Sequence, residues 1–329
     1  MSGAFAPLPA FGSLSSLLEW ERQRLETVAR VREVLGKEPE RAPLESETLG
    51  EERCQGYLRR HLRFRVEADD WCPAYLLIPD SLRGRAAAVL CAHQTVEQGK
   101  REVVGLEGRP QLAYGEWLAR EGFVVLAADE ITAGERWDRR FRAYDTKPFY
   151  ERRPEWSAMG KMLWDHERAL DFLQTLEFVD PARLAVMGHS LGGHNAVFLA
   201  ALDERVRAAV SSCGWQPFWA DENPLRWARD GWFIYMPRLR PYLVEGREPP
   251  FQFSEVIALM APRAFLDLSG RGDTCFAHSD RCEEELRQAA RIYELYGARQ
   301  QLDWVLHDQG HSLPPAAWQR ALHFLRSHT

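Results

Sequence analysis

Residues 186–195, VMGHSLGGHN, set Ser190 between two histidines and three glycines. A serine hydroxyl is a weak nucleophile at neutral pH. It becomes effective beside a histidine base that a carboxylate holds in place. The G-x-S-x-G spacing is short, so its weight comes from its surroundings. RLAVM before it reads as a strand and GGHNAVFLAAL after it as a helix, which puts Ser190 on a sharp strand-to-helix turn. Gly188 and Gly192 suit such a turn because neither carries a Cβ. The helix start also offers free N–H groups and the positive end of its dipole beside the serine oxygen.

The partners of such a serine follow it in the order acid, then histidine. Asp273 lies just past the strand RAFLDLSG and is expected as the acid. Asp267, inside that strand, reads as structural, and Asp280 as a cap that forms a capping box with Glu283. His311 lies in the loop HDQGHSLPP before the final helix and is expected as the base, with His307 at the strand end as the alternative. At its ordinary pKa of about 6.5 such an imidazole is mostly neutral at pH 7.5, as a base requires. His189 is expected to point away from the serine, and His194 to fill a core or supporting position. A tetrahedral intermediate needs two N–H donors for its oxyanion. Leu191 supplies one, and Gln94 in the loop CAHQTVEQGK is assigned the other.

These residues need a scaffold, and the apolar pattern describes one. AAAVLCA, FVVLAAD, RLAVM, VRAAVSS and RAFLDLSG are continuous apolar runs separated by helical segments, the signature of a mostly parallel sheet with helices on both faces. Two earlier strands, YLRRHLRFRV and AYLLIP, precede them, and LDWVLH ends the series. A helix over 14–36 is expected to bury Leu18, Leu25, Val28, Val31 and Leu35. Residues 1–49 are read as an N-terminal helical extension and 50–329 as the main domain. Two arginine- and aromatic-rich stretches, 133–160 and 213–250, interrupt the rhythm directly after strands. Loops at the carboxyl ends of strands build the ligand crevice in such sheets, so both read as lid-like insertions. Trp215, Trp219, Trp227 and Trp232 in the second could stack on sugars or aromatic rings or form a lid core, and of these Trp215 and Trp219 are expected to bind substrate. Arg139, Arg140 and Arg142 in the first could meet a substrate carboxylate, although a solvated face is the plainer use.

The formal net charge is −6, with no polybasic block, which argues against nucleic acid as a partner. No apolar run is long enough to span a membrane. Six scattered cysteines without a CxxC pair, and a first segment without a basic, apolar leader pattern, make a reduced, cytoplasmic protein the expectation. The histidines form no tight ligand cluster, so neither metal nor cofactor is expected. A homo-oligomer is left open.

With AHQT, ADEITAGER, GHSLGGHNA, APRAFLDLSGRGD and DQGHSLP in place, residues 50–325 resemble the α/β-hydrolase fold, and within it the dienelactone-hydrolase-like and acetyl-xylan-esterase-like branch. The resemblance implies a serine esterase that cleaves a small-molecule carboxylic ester through an acyl-enzyme. The chain differs from dienelactone hydrolases proper, which have cysteine where Ser190 stands, and this argues against their route of lactone hydrolysis. A peptidase or amidase acting on short peptides, and a non-catalytic binding protein, are the competing readings.

Overall fold

The computed structural model describes residues 11, 12 and 14–329. Nine strands form one sheet: β1 (Ser46–Cys54), β2 (Tyr57–Glu67), β3 (Asp70–Pro79), β4 (Ala86–Ala92), β5 (Val124–Ala128), β6 (Val179–His189), β7 (Val206–Ser212), β8 (Ala264–Gly270) and β9 (Leu302–His307). Their spatial order is β1-β2-β3-β5-β4-β6-β7-β8-β9. The first three pair antiparallel and β3 joins β5 antiparallel, whereas β5 through β9 run parallel. The inner parallel strands are buried on both faces, which is why their sequences lack polar alternation, whereas β9 at the edge is half-buried. In β4, Leu90 turns to one core while Val89 and Cys91 turn to the other. Helices Leu17–Leu35, Ala158–Thr175, Leu191–Leu202 and Cys282–Leu295 cover the first core, and Tyr114–Arg120 with Pro315–His328 covers the second. This is the α/β-hydrolase architecture.

β1 is absent from the sequence reading, and its physical basis explains why. SETLGEERC has no apolar alternation and is exposed along almost its whole length. Charge sets its register instead. Glu47, Glu51 and Glu52 face Arg63, Arg60 and Arg59 of β2 and accept hydrogen bonds from them at 2.7, 2.7 and 2.6 Å. The expected boundary at residues 49/50 therefore falls inside a strand. The Leu17–Leu35 helix also packs into the main core, with Trp20, Val31 and Leu35 buried. Ser16 caps it in a capping box with Glu19. Its buried face is rotated from the expected stripe: Leu18 and Leu25 are 67% and 68% exposed.

A second correction concerns Asp280, which sits in the short turn Ser279–Arg281. The helix begins only at Cys282, with Glu283, Glu284 and Glu285 in its first turn beside the positive dipole end. Among the described residues no helix is long and apolar enough to cross a membrane.

Candidate active site

Five strand ends converge on one cavity of about 580 Å³. Gln94 follows β4, Ser190 follows β6, Gly214 follows β7 and His311 follows β9, and all four line it. Asp273, after β8, lies behind His311.

Ser190 has φ 55° and ψ −120°, a backbone strained for any residue but glycine, and it immediately precedes the Leu191–Leu202 helix. Its N–H donates to the Ser212 carbonyl at 2.8 Å, so β7 holds the turn from one side. The other side closes because side chains are missing. A Cβ on Gly188 would lie 2.1 Å from the Gly192 carbonyl carbon, and one on Gly192 would lie 1.9 Å from the Ala92 oxygen. The helix therefore starts directly against the end of β4. Leu191 is its first residue, so its N–H has no carbonyl one turn back to bond.

His311 Nδ1 donates to Asp273 Oδ2 at 2.7 Å. The other oxygen, Oδ1, accepts the N–H groups of Cys275 and Phe276 at 2.6 and 2.8 Å, which fixes the carboxylate. The Asp273 contact leaves Nε2 as the free ring nitrogen on a residue that lines the cavity; Ser190 Oγ makes no hydrogen bond to it in this structure. Burial opposes a charge on His311. The hydrogen bond to Asp273, helped by the neighbouring Cys275 thiol, outweighs it and pushes the ring up to about 9. This corrects the expectation of an ordinary value, which could not include a neighbouring thiol. The nearby His311 ring in turn draws the Cys275 thiol below its usual range. His307 lies half-buried at the end of β9, and its Nδ1 accepts from the Gln309 N–H at 3.3 Å. His189 is buried and bonds Ser212 Oγ at 3.0 Å through Nδ1, with its ring 4.8 Å from that of His311. Burial holds its pKa well below the usual value.

The loop after β4 is held from beneath by a buried polar network. His93 Nδ1 donates to the Gln94 carbonyl at 2.7 Å, and its Nε2 accepts the Glu130 N–H at 2.9 Å. A carbonyl cannot donate and an amide cannot accept, so the two partners fix this tautomer. Tyr144 O–H donates to the same carbonyl at 3.1 Å. Glu130 Oε1 meets His166 at 3.0 Å and Asn195 at 2.8 Å, and Asn195 Oδ1 accepts from Tyr235 in the cavity wall at 2.9 Å. Burial disfavours both charges. Mutual attraction prevails, keeping the Glu130 carboxyl below and the His166 ring above their usual ranges. Glu130 stands inside the ADEITAGER stretch, yet nothing in its spacing announced this role.

The profile of the dienelactone hydrolase family matches residues 73–226. The chain is also 30% identical over 302 residues to "Putative hydrolase YtaP" of Bacillus subtilis (strain 168), an alignment covering 89% of this chain and 95% of that one. The chain belongs to the dienelactone-hydrolase-like branch of the α/β hydrolases. This hydrolase is 34% identical over 101 residues to "Cutinase est2" of Thermobifida alba, covering 31% of this chain and 28% of that one. A glucuronoyl esterase from Solibacter usitatus superposes with a TM-score of 0.78 at 19% identity, covering 98% of each chain.

The tryptophans of the hydrolase divide differently from the expectation. Trp215 is 1% exposed, stacks on Phe253 and donates its N–H to Asp267 at 2.8 Å. Trp219 donates to Glu285 at 2.6 Å. Neither lines the cavity; both are core rings whose polar edges satisfy buried acids. Trp227 lines it instead, stacked 4.3 Å from His194. His194 also faces the cavity, and burial pushes its pKa down to about 3, so it is neutral. Asp267 holds a structural position between Trp215 and Ser269, and burial raises it to about 6. No residue of 133–160 lines the cavity: Arg139 and Arg142 lie over Trp137 and Trp232, and Arg140 pairs with Asp138.

Cys213, Asp273 and His311 place ligand-type atoms within 4.8 Å of one another. Two of them already bond each other, and burial pushes the Cys213 thiol up, away from the thiolate that a metal needs.

Proposed function

We propose that the chain hydrolyses carboxylic esters through a serine acyl-enzyme. Ser190 Oγ attacks the acyl carbon as His311 Nε2 takes its proton. Asp273 holds the imidazole in the tautomer that leaves Nε2 free and stabilises the imidazolium. The negative oxygen of the tetrahedral intermediate meets the N–H groups of Leu191 and Gln94. Collapse breaks the bond to the alcohol oxygen, which takes the proton from His311. Water then attacks the acyl-serine, again giving a proton to His311, and the acid leaves with Ser190 restored.

The observation that carries this reading is the 2.7 Å hydrogen bond between His311 and Asp273, on the cavity that Ser190 lines from its strained turn. The esterases among its relatives and structural neighbours support the ester as substrate class. An alkyl fluorophosphonate should add one phosphonyl group to the chain, on the peptide containing Ser190. Labelling elsewhere, or none, removes the nucleophile. Turnover of 4-nitrophenyl acetate without turnover of peptide anilides separates the esterase from a peptidase.

A further inference from the structure

The chain holds 48 Asp and Glu against 42 Lys and Arg. The wall of the candidate active site reverses that balance. Arg109, Arg226 and Arg229 line it, and among the described residues no carboxylate does. The three arginines differ in what already holds them. Arg226 donates through Nε and Nη2 to Asp221 at 2.6 and 3.0 Å, and through Nη1 to the Cys275 carbonyl. Arg109 pairs with Glu102 at 3.3 Å. Arg229 has no acidic partner among the described residues. Its Nε donates to the Arg226 carbonyl at 3.3 Å, and its guanidinium carbon lies 5.9 and 5.7 Å from the rings of Trp232 and Phe233. Its two terminal nitrogens have no hydrogen-bond acceptor.

Arg229 is half-buried, and both burial and the nearby Arg226 charge work against its own. A guanidinium nevertheless keeps its proton in proteins. A partly desolvated cation with free donors is an unfavourable arrangement until an anion completes it. The more deeply buried Arg136, by contrast, lies between Asp70 and Asp165.

We propose that the ester hydrolysed here carries a carboxylate, and that Arg229 binds it as a specificity-determining residue in the cavity of Ser190. The planar fork of a guanidinium matches a carboxylate with two parallel N–H···O bonds. One free fork suits one carboxylate. A phosphate dianion calls for a second unpaired cation, and Arg109 and Arg226 are both engaged. This inference rests on the esterase reading above and adds to it the charge of the substrate.

The test compares two pairs matched in carbon number by titrating released acid. Monomethyl adipate against methyl hexanoate places the charge on the acyl side, and 4-acetoxybutanoate against butyl acetate places it on the alcohol side. The wild-type chain should favour the charged member of at least one pair in kcat/KM by roughly tenfold to a hundredfold, the range of one charge-assisted bond. Arg229→Met should collapse that ratio, and Arg229→Lys should restore part of it. Equal kcat/KM within both pairs overturns the inference, and so does a ratio unmoved in Arg229→Met, the result expected if the arginine only shapes its loop. Preference for a phosphate-bearing acetate over 4-acetoxybutanoate overturns it as well. Turnover of 4-nitrophenyl acetate without preference in either pair sinks the carboxylate alone. No turnover of any ester sinks the esterase reading, and the inference with it.

Discussion

Residues 133–160 and 213–250 both leave the carboxyl end of a strand, and both are crowded with arginine and aromatic rings. In the first, Arg136 bonds Asp70 and Asp165 at 2.5 and 2.6 Å, and Arg153 bonds Glu67 at 2.8 Å. Those arginines tie the segment to β2, β3 and the Ala158–Thr175 helix. In the second, Arg229 meets no acid, and Arg226, Trp227, Phe233 and Tyr235 stand in the cavity wall. The first also props the second: Thr146 N–H donates to the Trp232 carbonyl at 2.8 Å and Tyr150 O–H to the Ile234 carbonyl at 3.1 Å. Similar composition thus serves as fastening in one place and as cavity wall in the other. What separates Arg136 from Arg229 is that two acids already hold the first and none among the described residues holds the second.

That contrast matters only if chemistry happens beneath the second insertion. Ser190→Ala should therefore lower ester turnover by on the order of 10⁴-fold or more while leaving the melting curve unchanged. His311→Ala should match it in rate and His307→Ala should not. Retained turnover in Ser190→Ala would move the chemistry elsewhere and end the comparison. The next largest effect tests the fastening. Arg136→Met strips a charge partner from buried Asp165 and should cost about 3 kcal/mol in denaturant unfolding. Arg229→Met should change stability by no more than about 0.5 kcal/mol. Equal losses would erase the distinction.

A third test follows the proton. The base must be neutral, and its pKa is pushed up to about 9. Activity should rise with pH through that value, so at pH 7.5 kcat/KM should lie roughly thirtyfold below its plateau. The Cys275 carbonyl bonds Arg226 of the second insertion, and its thiol helps raise the His311 ring. Cys275→Ala should shift the acid limb of the profile downward; an unmoved limb would leave Asp273 alone responsible. Because the folded value lies above the ordinary 6.5, the ring's contribution to stability is complete below about pH 6.5 and is lost as pH rises through about 9. The smallest effects divide the second insertion itself. Trp215→Phe removes a donor from buried Asp267 and should cost about 1–3 kcal/mol while leaving ester selectivity alone. Trp227→Leu should alter selectivity across an ester series more than stability. The reverse outcome would return Trp215 to the substrate.

Features set by the backbone were readable in the sequence. Buried parallel strands show themselves as continuous apolar runs, and the turn at Ser190 shows itself through glycines that no other residue can replace. Chain order and strand ends then led to Asp273 and His311, which the fold brings within 2.7 Å of each other. Features set by side chains meeting across the molecule were not readable. Trp215 and Trp227 differ only in what lies opposite them after folding. The same holds for Arg229, whose significance is a missing partner, and for the thiol that raises His311. β1 carries no apolar periodicity; its register is written in acidic residues that answer arginines on β2.

That strand also bears on how copies of the protein meet. An unpaired outer strand is a template on which another sheet can grow, the first step of fibre formation. Here the row of backbone donors and acceptors on β1 lies among Glu47, Glu51 and Glu52. The ion pairs that align β1 with β2 thus also leave this rim charged and without an apolar face, a poor template for a second sheet.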